Sequence, residues 1–228
     1  WTHSGRVYSY LKDLTPSEKI LSVPHVRYNQ VRFHSGEAEV IRSDVKCAID
    51  KSKFNILYFG TIRESKGIKH FFHLLDSLNL KTSKLNFILA GEDIFNLGVE
   101  EKIVSYDKNH VKGIVSRISD EELIFLYENS NLILLPYIEV SQSGVLEMAY
   151  FFKKPIVASK IPYFEEILNE CPSFGHVIDF NSTTVSNTFV KLIEKFDEKH
   201  YYTDFDVMKY EKSEEFRDFL EKLKSKLS

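Results

Sequence analysis

From residue 55 onward, two patterns of apolar and polar positions alternate along the chain. Continuously apolar runs such as "NILYF" (55–59) and "LILLPY" (132–137) alternate with stretches whose apolar residues recur on one helical face. Continuously apolar runs are typical of parallel strands buried on both faces, and the stretches between them are typical of crossover helices. The pattern predicts an α/β domain with a doubly wound, Rossmann-like parallel sheet of about six strands.

The pattern also places the individual elements along the chain. Strands are predicted at residues 55–60, 84–91, 111–117, 131–137, 155–159 and 175–180. Helices are predicted to follow each of them, and one begins at a capping box formed by Ser119 and Glu122. Two long helices, near residues 185–196 and 216–223, are expected to close the chain.

The first fifty residues have no sustained period. Thr15 to Glu18 resemble one capped helical turn, and the segment after them is typical of a linker or an extended arm. We therefore predict that residues 1–50 are a linker or the remnant of an interdomain segment and that residues 51–228 form one Rossmann-like domain.

Composition excludes several classes of protein. The net charge of −3 comes with scattered lysines and no basic strip, which argues against nucleic-acid binding. Only Cys47 and Cys171 are present, without a Cys/His cluster, so the sequence indicates neither a disulfide framework nor a metal site. No apolar stretch is long enough to span a membrane. We expect a cytoplasmic protein.

Two loops at the carboxyl ends of predicted strands carry candidate chemistry. In the first, "GTIRESKG" (60–67), Arg63 and Lys66 lie beside a helix N-terminus, an arrangement that suits a diphosphate. The alternative is an ordinary solvated turn.

The second loop, "PYIEVSQSGVLE" (136–147), contains Glu139 and leads into an apolar helical run that includes Glu147. The helix start consists of small or polar residues, namely Ser141, Gln142, Ser143 and Gly144. Their backbone could approach a phosphate closely, and the two carboxylates could accept hydrogen bonds from sugar hydroxyls. Burying an ionised Glu147 without such partners would be costly. The alternative is an exposed helix edge with Lys153 or Lys154 nearby.

These two loops together resemble the donor-binding half of the retaining, two-Rossmann-domain (GT-B) glycosyltransferases, in particular family 4. The hallmark of that family is a pair of glutamates separated by seven residues, and Glu139 and Glu147 match it. The strand "PIVAS" (155–159) after the helix is also similar. The resemblance extends over roughly residues 23–167.

The resemblance implies a role for each of the candidate catalytic residues. Arg63 and Lys66 correspond to the basic pair that neutralises the donor diphosphate, and Glu139 corresponds to the glutamate that binds hydroxyls of the transferred sugar. Glu147 corresponds to the residue that binds the ribose diol.

The remaining donor-binding residues are also implied by the resemblance. The amides near Gln142, Ser143 and Gly144, together with Ser141, would hold the distal phosphate. The base would lie against Arg117 and Ile118, and Gly60 and Gly91 would line the neighbouring strand ends.

The resemblance further implies a reaction. Such enzymes transfer a hexosyl group from a nucleotide-diphosphate sugar, here UDP- or GDP-linked, with retention of configuration and with neither a metal nor a cofactor. An N-terminal acceptor-binding domain or a partner subunit is then missing, and we expect the isolated chain to have little or no activity. Polysaccharide or lipid-linked glycan synthesis is the expected setting. The basic C-terminal helix could associate peripherally with the inner face of a membrane.

Other functions remain open from the sequence alone. The chain could be a non-catalytic nucleotide-sugar-binding module that acts with a partner chain. It could also be a sugar-nucleotide epimerase of similar architecture or a flavodoxin-like binder. His70 and His73 have a spacing compatible with zinc, but no third ligand is evident, so we interpret them as surface residues.

Overall fold

The computed structural model describes residues 13–14, 40–80, 84–194 and 196. Across these ranges, six strands form one sheet in the order β3-β2-β1-β4-β5-β6, and every neighbouring pair is parallel. The strands are β1 (Phe54–Phe59), β2 (Leu85–Ala90), β3 (Val111–Ile114), β4 (Leu132–Leu135), β5 (Ile156–Ser159) and β6 (Gly175–Ile178). The predicted fold class, a doubly wound parallel α/β sheet of about six strands, is confirmed.

The helices follow the strands as the alternation predicts, except for the first helix, which precedes β1. They are α1 (Ser43–Ala48), α2 (Ile68–Ser77), α3 (Val99–Val104), α4 (Asp120–Asn129), α5 (Gly144–Phe151), α6 (Pro162–Glu170) and α7 (Val185–Glu194). Short 3₁₀ turns occur at Glu64–Lys66 and Pro172–Phe174. Within the described ranges, no helix is long and apolar enough to cross a membrane. The predicted turn at Thr15–Glu18 and the predicted last helix, near 216–223, lie outside the described residues.

Two buried clusters cover the two faces of the sheet. Alternate residues of each strand point to opposite faces, so Ile56 and Tyr58 of β1 join one cluster and Leu57 joins the other. Helices α2, α3 and α7 pack on the first face. Helices α1, α4, α5 and α6 pack on the second. Burial on both faces explains why β2 is apolar at nearly every position.

Most predicted strands are shorter in the structure than in the sequence pattern, and β3 and β4 differ the most. β3 ends at Ile114, where its ladder with β2 ends, and the segment predicted to continue to Arg117 instead leaves the sheet. β4 ends at Leu135 because Pro136, the next residue, has no backbone N–H to donate. Both shortenings lengthen the loops at the carboxyl edge of the sheet.

Helix α1 was not predicted from the sequence. It has only six residues, and only Val45 and Ala48 are buried, which is too little for a periodic signal. Both residues belong to the core cluster of the second face. The packed part of the chain therefore includes residues upstream of the domain boundary predicted at residue 50.

The helices leave β1 and β4 in opposite directions. β1 leads into α2 on the first face, whereas β4 leads into α5 on the second. Because β1 and β4 are adjacent, their following loops diverge and leave a crevice at the carboxyl edge of the sheet. This is the topological switch point at which ligands of open α/β sheets usually bind.

Candidate functional site

Two glycines bring the loops of the crevice close together. Gly67 has a φ of 72°, and a Cβ at this position would lie 1.7 Å from the carbonyl oxygen of Pro136. A Cβ on Gly91 would lie 2.0 Å from the carbonyl oxygen of Gly60. Both contacts are with backbone atoms, so no larger residue fits without moving the chain. Glycine is thus required for β1, β2 and β4 to end side by side.

Hydrogen bonds fix the β1–α2 loop against the β4–α5 loop. The backbone N–H of Ile138 donates to the carbonyl oxygen of Ser65 at 2.9 Å. Nδ1 of His70 lies 2.9 Å from the carbonyl oxygen of Pro136, and its Nε2 lies 3.1 Å from the side-chain oxygen of Asn181. His70 is therefore half-buried and bonded between loops, and is not the surface residue that the sequence indicated.

An open cleft of about 430 Å³ lies between these two loops. It is lined by Arg63, Ser65, Lys66, Tyr137, Glu139, Val140, Ser141 and Gln142. The cleft thus brings together the three residues predicted to be catalytic, Arg63, Lys66 and Glu139. Of the predicted donor-binding residues, Ser141 and Gln142 also line it.

The cleft is lined by two cations, Arg63 and Lys66. Among the described residues, neither Arg63 nor Lys66 has a carboxylate within ion-pair distance. Burial, and then repulsion by Arg63, lower the pKa of Lys66 to about 8. Its Nζ lies 5.6 Å from the ring centroid of Tyr137, a cation–π arrangement. The two cations can therefore be stabilised by a bound anion.

The start of helix α5 is capped by Ser143. Its Oγ accepts a hydrogen bond from the backbone N–H of Leu146 at 3.2 Å, and its hydroxyl donates to the Tyr137 hydroxyl at 3.4 Å. Ser143 is buried, whereas Ser141 and Gln142 before it are exposed. The side chain of Ser143 thus serves the helix, and a ligand at this helix end would meet backbone N–H groups.

Glu147 is half-buried in the first turn of α5. In the described part of the chain its carboxylate has neither a hydrogen bond nor an ion pair, and Nζ of Lys154 donates to the carbonyl oxygen of Glu128 at 2.9 Å. Burial, and then the nearby Glu147 carboxylate, raise the pKa of Tyr163 to about 12. The Glu147 carboxylate is therefore free to accept hydrogen bonds from a ligand, and Tyr163 lies close enough to be affected by its charge.

The predicted base-binding residues lie on the loop between β3 and α4. Arg117 is exposed, and Ile118 packs against the core cluster that contains Val145. Neither lines the cleft, and the same is true of Gly60, Gly91, Ser143, Gly144 and Glu147. The capping box of Ser119 and Glu122 is confirmed.

Two residues near the site were missed by the sequence analysis. Arg42 reaches the β3–α4 loop from a segment about seventy residues earlier in the chain, and Tyr163 reaches Glu147 from α6. Tyr163 follows Pro162 at a predicted helix start, and this was the only sequence signal for it. No sequence pattern indicated Arg42, because its contacts depend on the tertiary fold.

Fold and site together define a doubly wound α/β domain with an open crevice at the switch point, lined by the cations Arg63 and Lys66. Residues 41–201 match the family model described as "Glycosyl transferases group 1". The match covers most of the chain, and the chain belongs to that family. No curated protein matches the sequence significantly.

Three solved structures show the same fold at low sequence identity. The C-terminal domain of a glycosyl transferase group 1 family protein (LpcC) from Francisella tularensis has a TM-score of 0.55 at 20% identity, over 76% of this chain and 94% of that domain. HepE from Anabaena, in complex with UDP-glucose, has a TM-score of 0.70 at 15% identity, over 98% of this chain. WaaG, a glycosyltransferase involved in lipopolysaccharide biosynthesis, has a TM-score of 0.64 at 15% identity, over 90% of this chain.

The chain corresponds to only part of the longer structures. It covers 63% of the HepE chain and 57% of the WaaG chain, but nearly all of the separate LpcC domain. The identities are low enough that these likenesses establish the fold alone. The fold is thus that of the C-terminal half of such glycosyltransferases, as the sequence resemblance indicated.

Proposed function

We propose that this chain is the donor-binding part of a glycosyltransferase that transfers a hexosyl group from a nucleotide-diphosphate sugar with retention of configuration. The observation that carries the proposal is the pair of cations, Arg63 and Lys66, that line the cleft together with Glu139 and have no ion-pair partner among the described residues. The negative charge of a diphosphate matches this pair of cations. The Glu139 carboxylate beside them can accept hydrogen bonds from the hydroxyls of the attached sugar.

Arg63 and Lys66 stabilise the charge that develops on the leaving diphosphate as the glycosidic bond breaks. The two cations and the N-terminus of α5 supply the compensating positive charge, so the proposal needs neither a metal ion nor a cofactor. Lys66 is well suited to the task, since a bound anion restores the charged form that burial disfavours. The positive charge is thus most strongly favoured when the donor is present.

The remaining donor contacts in this proposal are those that the family resemblance implies, and they extend beyond the cleft between the two loops. Glu139, exposed at the cleft wall, accepts hydrogen bonds from hydroxyls of the transferred sugar. Glu147 binds the ribose diol, and the amides at residues 142–144 hold the distal phosphate. The base lies against Arg117 and Ile118 on the β3–α4 loop.

We further propose that transfer requires a second domain or subunit that binds the acceptor. The incomplete coverage of HepE and WaaG supports this proposal. The likeness to the UDP-glucose complex of HepE favours a UDP-linked donor, with a GDP-linked donor as the alternative. The isolated chain then binds the donor with little turnover. Peripheral association with a membrane face would involve the basic C-terminal segment. That segment lies outside the described residues.

A non-catalytic nucleotide-sugar-binding module is the second candidate, because the same cleft could bind a donor without transferring its sugar. The third candidate, a sugar-nucleotide epimerase, would release an isomerised sugar nucleotide.

The test is proton NMR of the chain with UDP-glucose and, separately, with a GDP-linked hexose. Saturation transfer to the donor together with slow release of the nucleoside diphosphate and free sugar supports a transferase half. Binding without any product favours the module unless an added acceptor domain restores transfer. An isomerised donor, or no binding at all, contradicts the proposal.

A further inference from the structure

The β3–α4 loop is held by an ion pair that joins it to the segment before α1. The Arg42 Nε donates to Oε1 of Glu122 at 2.7 Å, and its Nη2 donates to Oε2 at 3.1 Å. The backbone N–H of Arg42 also donates to Oε1 at 3.2 Å. The pair is therefore bidentate, which fixes the orientation of the guanidinium plane.

The same guanidinium binds the loop directly. Its Nη1 donates to the hydroxyl oxygen of Ser116 at 2.8 Å, and its Nη2 donates to the carbonyl oxygen of Arg117 at 3.2 Å. Oε2 of Glu122 accepts from the backbone N–H of Ser119 at 3.1 Å. Residues 116–119 are thus attached at both ends to one Arg–Glu pair.

Burial makes this attachment strong and specific. The side chain of Glu122 is 5% exposed and that of Arg42 is 40% exposed, so the carboxylate is shielded while the guanidinium reaches it from the surface. The hydrogen bonds from Arg42 lower the pKa of Glu122, which therefore remains ionised at neutral pH. Lysine could not replace Arg42, because one ammonium cannot contact Ser116, Arg117 and both carboxylate oxygens together.

The pair leaves the middle of the loop available for a ligand. In the part of the chain that the structure describes, the backbone N–H groups of Arg117 and Ile118 donate to no other protein group. The Arg117 side chain is exposed and has no ion pair there. Fixed backbone groups with no internal partner can read the edge of a planar base, and their selectivity depends on their position.

We propose that Arg42 and Glu122 are positioning residues that set which nucleotide base the protein accepts, by fixing the backbone at Arg117 and Ile118. This inference rests on the proposed function, in which that loop binds the base. It assigns part of the base selectivity to a residue that lies before the first strand and contacts no ligand itself.

The test is calorimetric titration of the full chain with UDP, GDP, ADP and inorganic pyrophosphate. The variants are Arg42→Lys, which keeps the charge, and Glu122→Gln, which keeps a side chain able to cap α4. The control is Asp76→Asn, which breaks an ion pair with Lys102 between α2 and α3 on the other face of the sheet. Circular dichroism establishes that each variant is folded at the temperature used.

We expect both variants to bind the preferred nucleoside diphosphate about tenfold more weakly, with pyrophosphate affinity unchanged to within about twofold. The preference among the three bases should shrink, and Asp76→Asn should keep it. An equal loss for pyrophosphate and nucleotide, an unchanged base preference, or a wild-type chain without base preference would overturn the inference and leave the donor site intact. Failure of the wild-type chain to bind any of the four compounds would instead overturn the proposed function, and this inference with it.

Discussion

The Nζ atom of Lys66 lies 5.6 Å from the ring centroid of Tyr137, at the junction of the two loops that follow β1 and β4. Lys66 is half-buried there beside Arg63, and its pKa is lowered to about 8, chiefly by burial. The free protein therefore holds a charge that its own structure disfavours. A bound anion would favour the charged form of Lys66 again. The stability of the chain should therefore depend on whether the ligand is bound.

Replacing Lys66 by methionine should stabilise the free chain while it weakens binding. Unfolded lysine has a pKa near 10.5, above the folded value of about 8, so the unfolded chain binds more protons between these pH values. Stability of the wild type should then rise with pH from about 8 to about 10. Lys66→Met should remove this rise and add about 1–3 kcal/mol to the free energy of unfolding at pH 7.

Urea unfolding across this pH range measures the effect. Lys69→Met is the matched control, because Lys69 lies exposed in the first turn of α2 and pairs with Glu64 in the preceding 3₁₀ turn. If Lys66→Met unfolds at lower urea concentration than the wild type at pH 7, the burial cost inferred for Lys66 is wrong.

Glu139 and Glu147 should affect different parts of the donor. Glu147→Gln should weaken UDP binding by about tenfold and leave pyrophosphate binding unchanged, since a ribose contact is lost and a phosphate contact is not. Glu139→Gln should leave UDP binding unchanged but reduce the affinity for the sugar nucleotide relative to UDP. Calorimetry with UDP, the UDP-sugar and pyrophosphate separates the two residues, and a Glu139 variant that loses UDP itself would refute its assignment to the sugar.

Gly67→Ala should disrupt the crevice. A Cβ would meet the Pro136 carbonyl oxygen at 1.7 Å, and the residue has a φ of 72°. We expect a loss of more than about 2 kcal/mol in the free energy of unfolding. Gly98→Ala is the control, because Gly98 has a φ of 68° but a new Cβ would come no closer than 3.7 Å to the flexible Glu101 side chain.

The control isolates the close approach from the backbone conformation. Gly98→Ala should cost only about 1 kcal/mol. Equal losses in thermal or chemical unfolding for the two variants would mean that the Gly67–Pro136 contact does not hold the loops together.

The Arg42–Glu122 pair should make the chain sensitive to acid. Hydrogen bonds from Arg42 lower the pKa of Glu122 below its ordinary value of 4.5, so the folded chain resists protonation of this group. Its contribution is present above pH 4.5 and is lost as the pH falls through the lower folded value. At pH 7, Glu122→Gln should lower the free energy of unfolding by about 1–3 kcal/mol, measured by urea unfolding. The difference from the wild type should shrink toward pH 3. A constant difference from pH 7 to pH 3 would argue against an ionised pair.

The sequence was sufficient to predict the sheet and the principal cleft residues. Apolar runs such as the one in β2 could be assigned to buried strands, and the parallel arrangement then placed the ends of β1 and β4 at one edge. Arg63, Lys66 and Glu139 come together for that reason. Their positions relative to the strand ends were visible in the sequence, so their proximity followed from topology.

The parts that could not be predicted depend on contacts between distant segments. Arg42 reaches Glu122 over 80 residues of sequence, and His70 reaches Asn181 over 111. Neither residue belongs to a periodic pattern, and α1 has too few buried positions to produce one. The sequence alone therefore indicated neither the partners of His70 nor the role of Arg42.

Calorimetric titration of the chain with UDP, GDP and ADP in metal-free buffer tests the central claim most directly. The account predicts that one of them binds with micromolar to millimolar affinity. It also predicts that Arg63→Ala weakens this binding at least about tenfold and that Lys69→Met leaves it unchanged. Equal affinity of wild type and Arg63→Ala for the nucleotide would contradict a diphosphate site between the β1 and β4 loops.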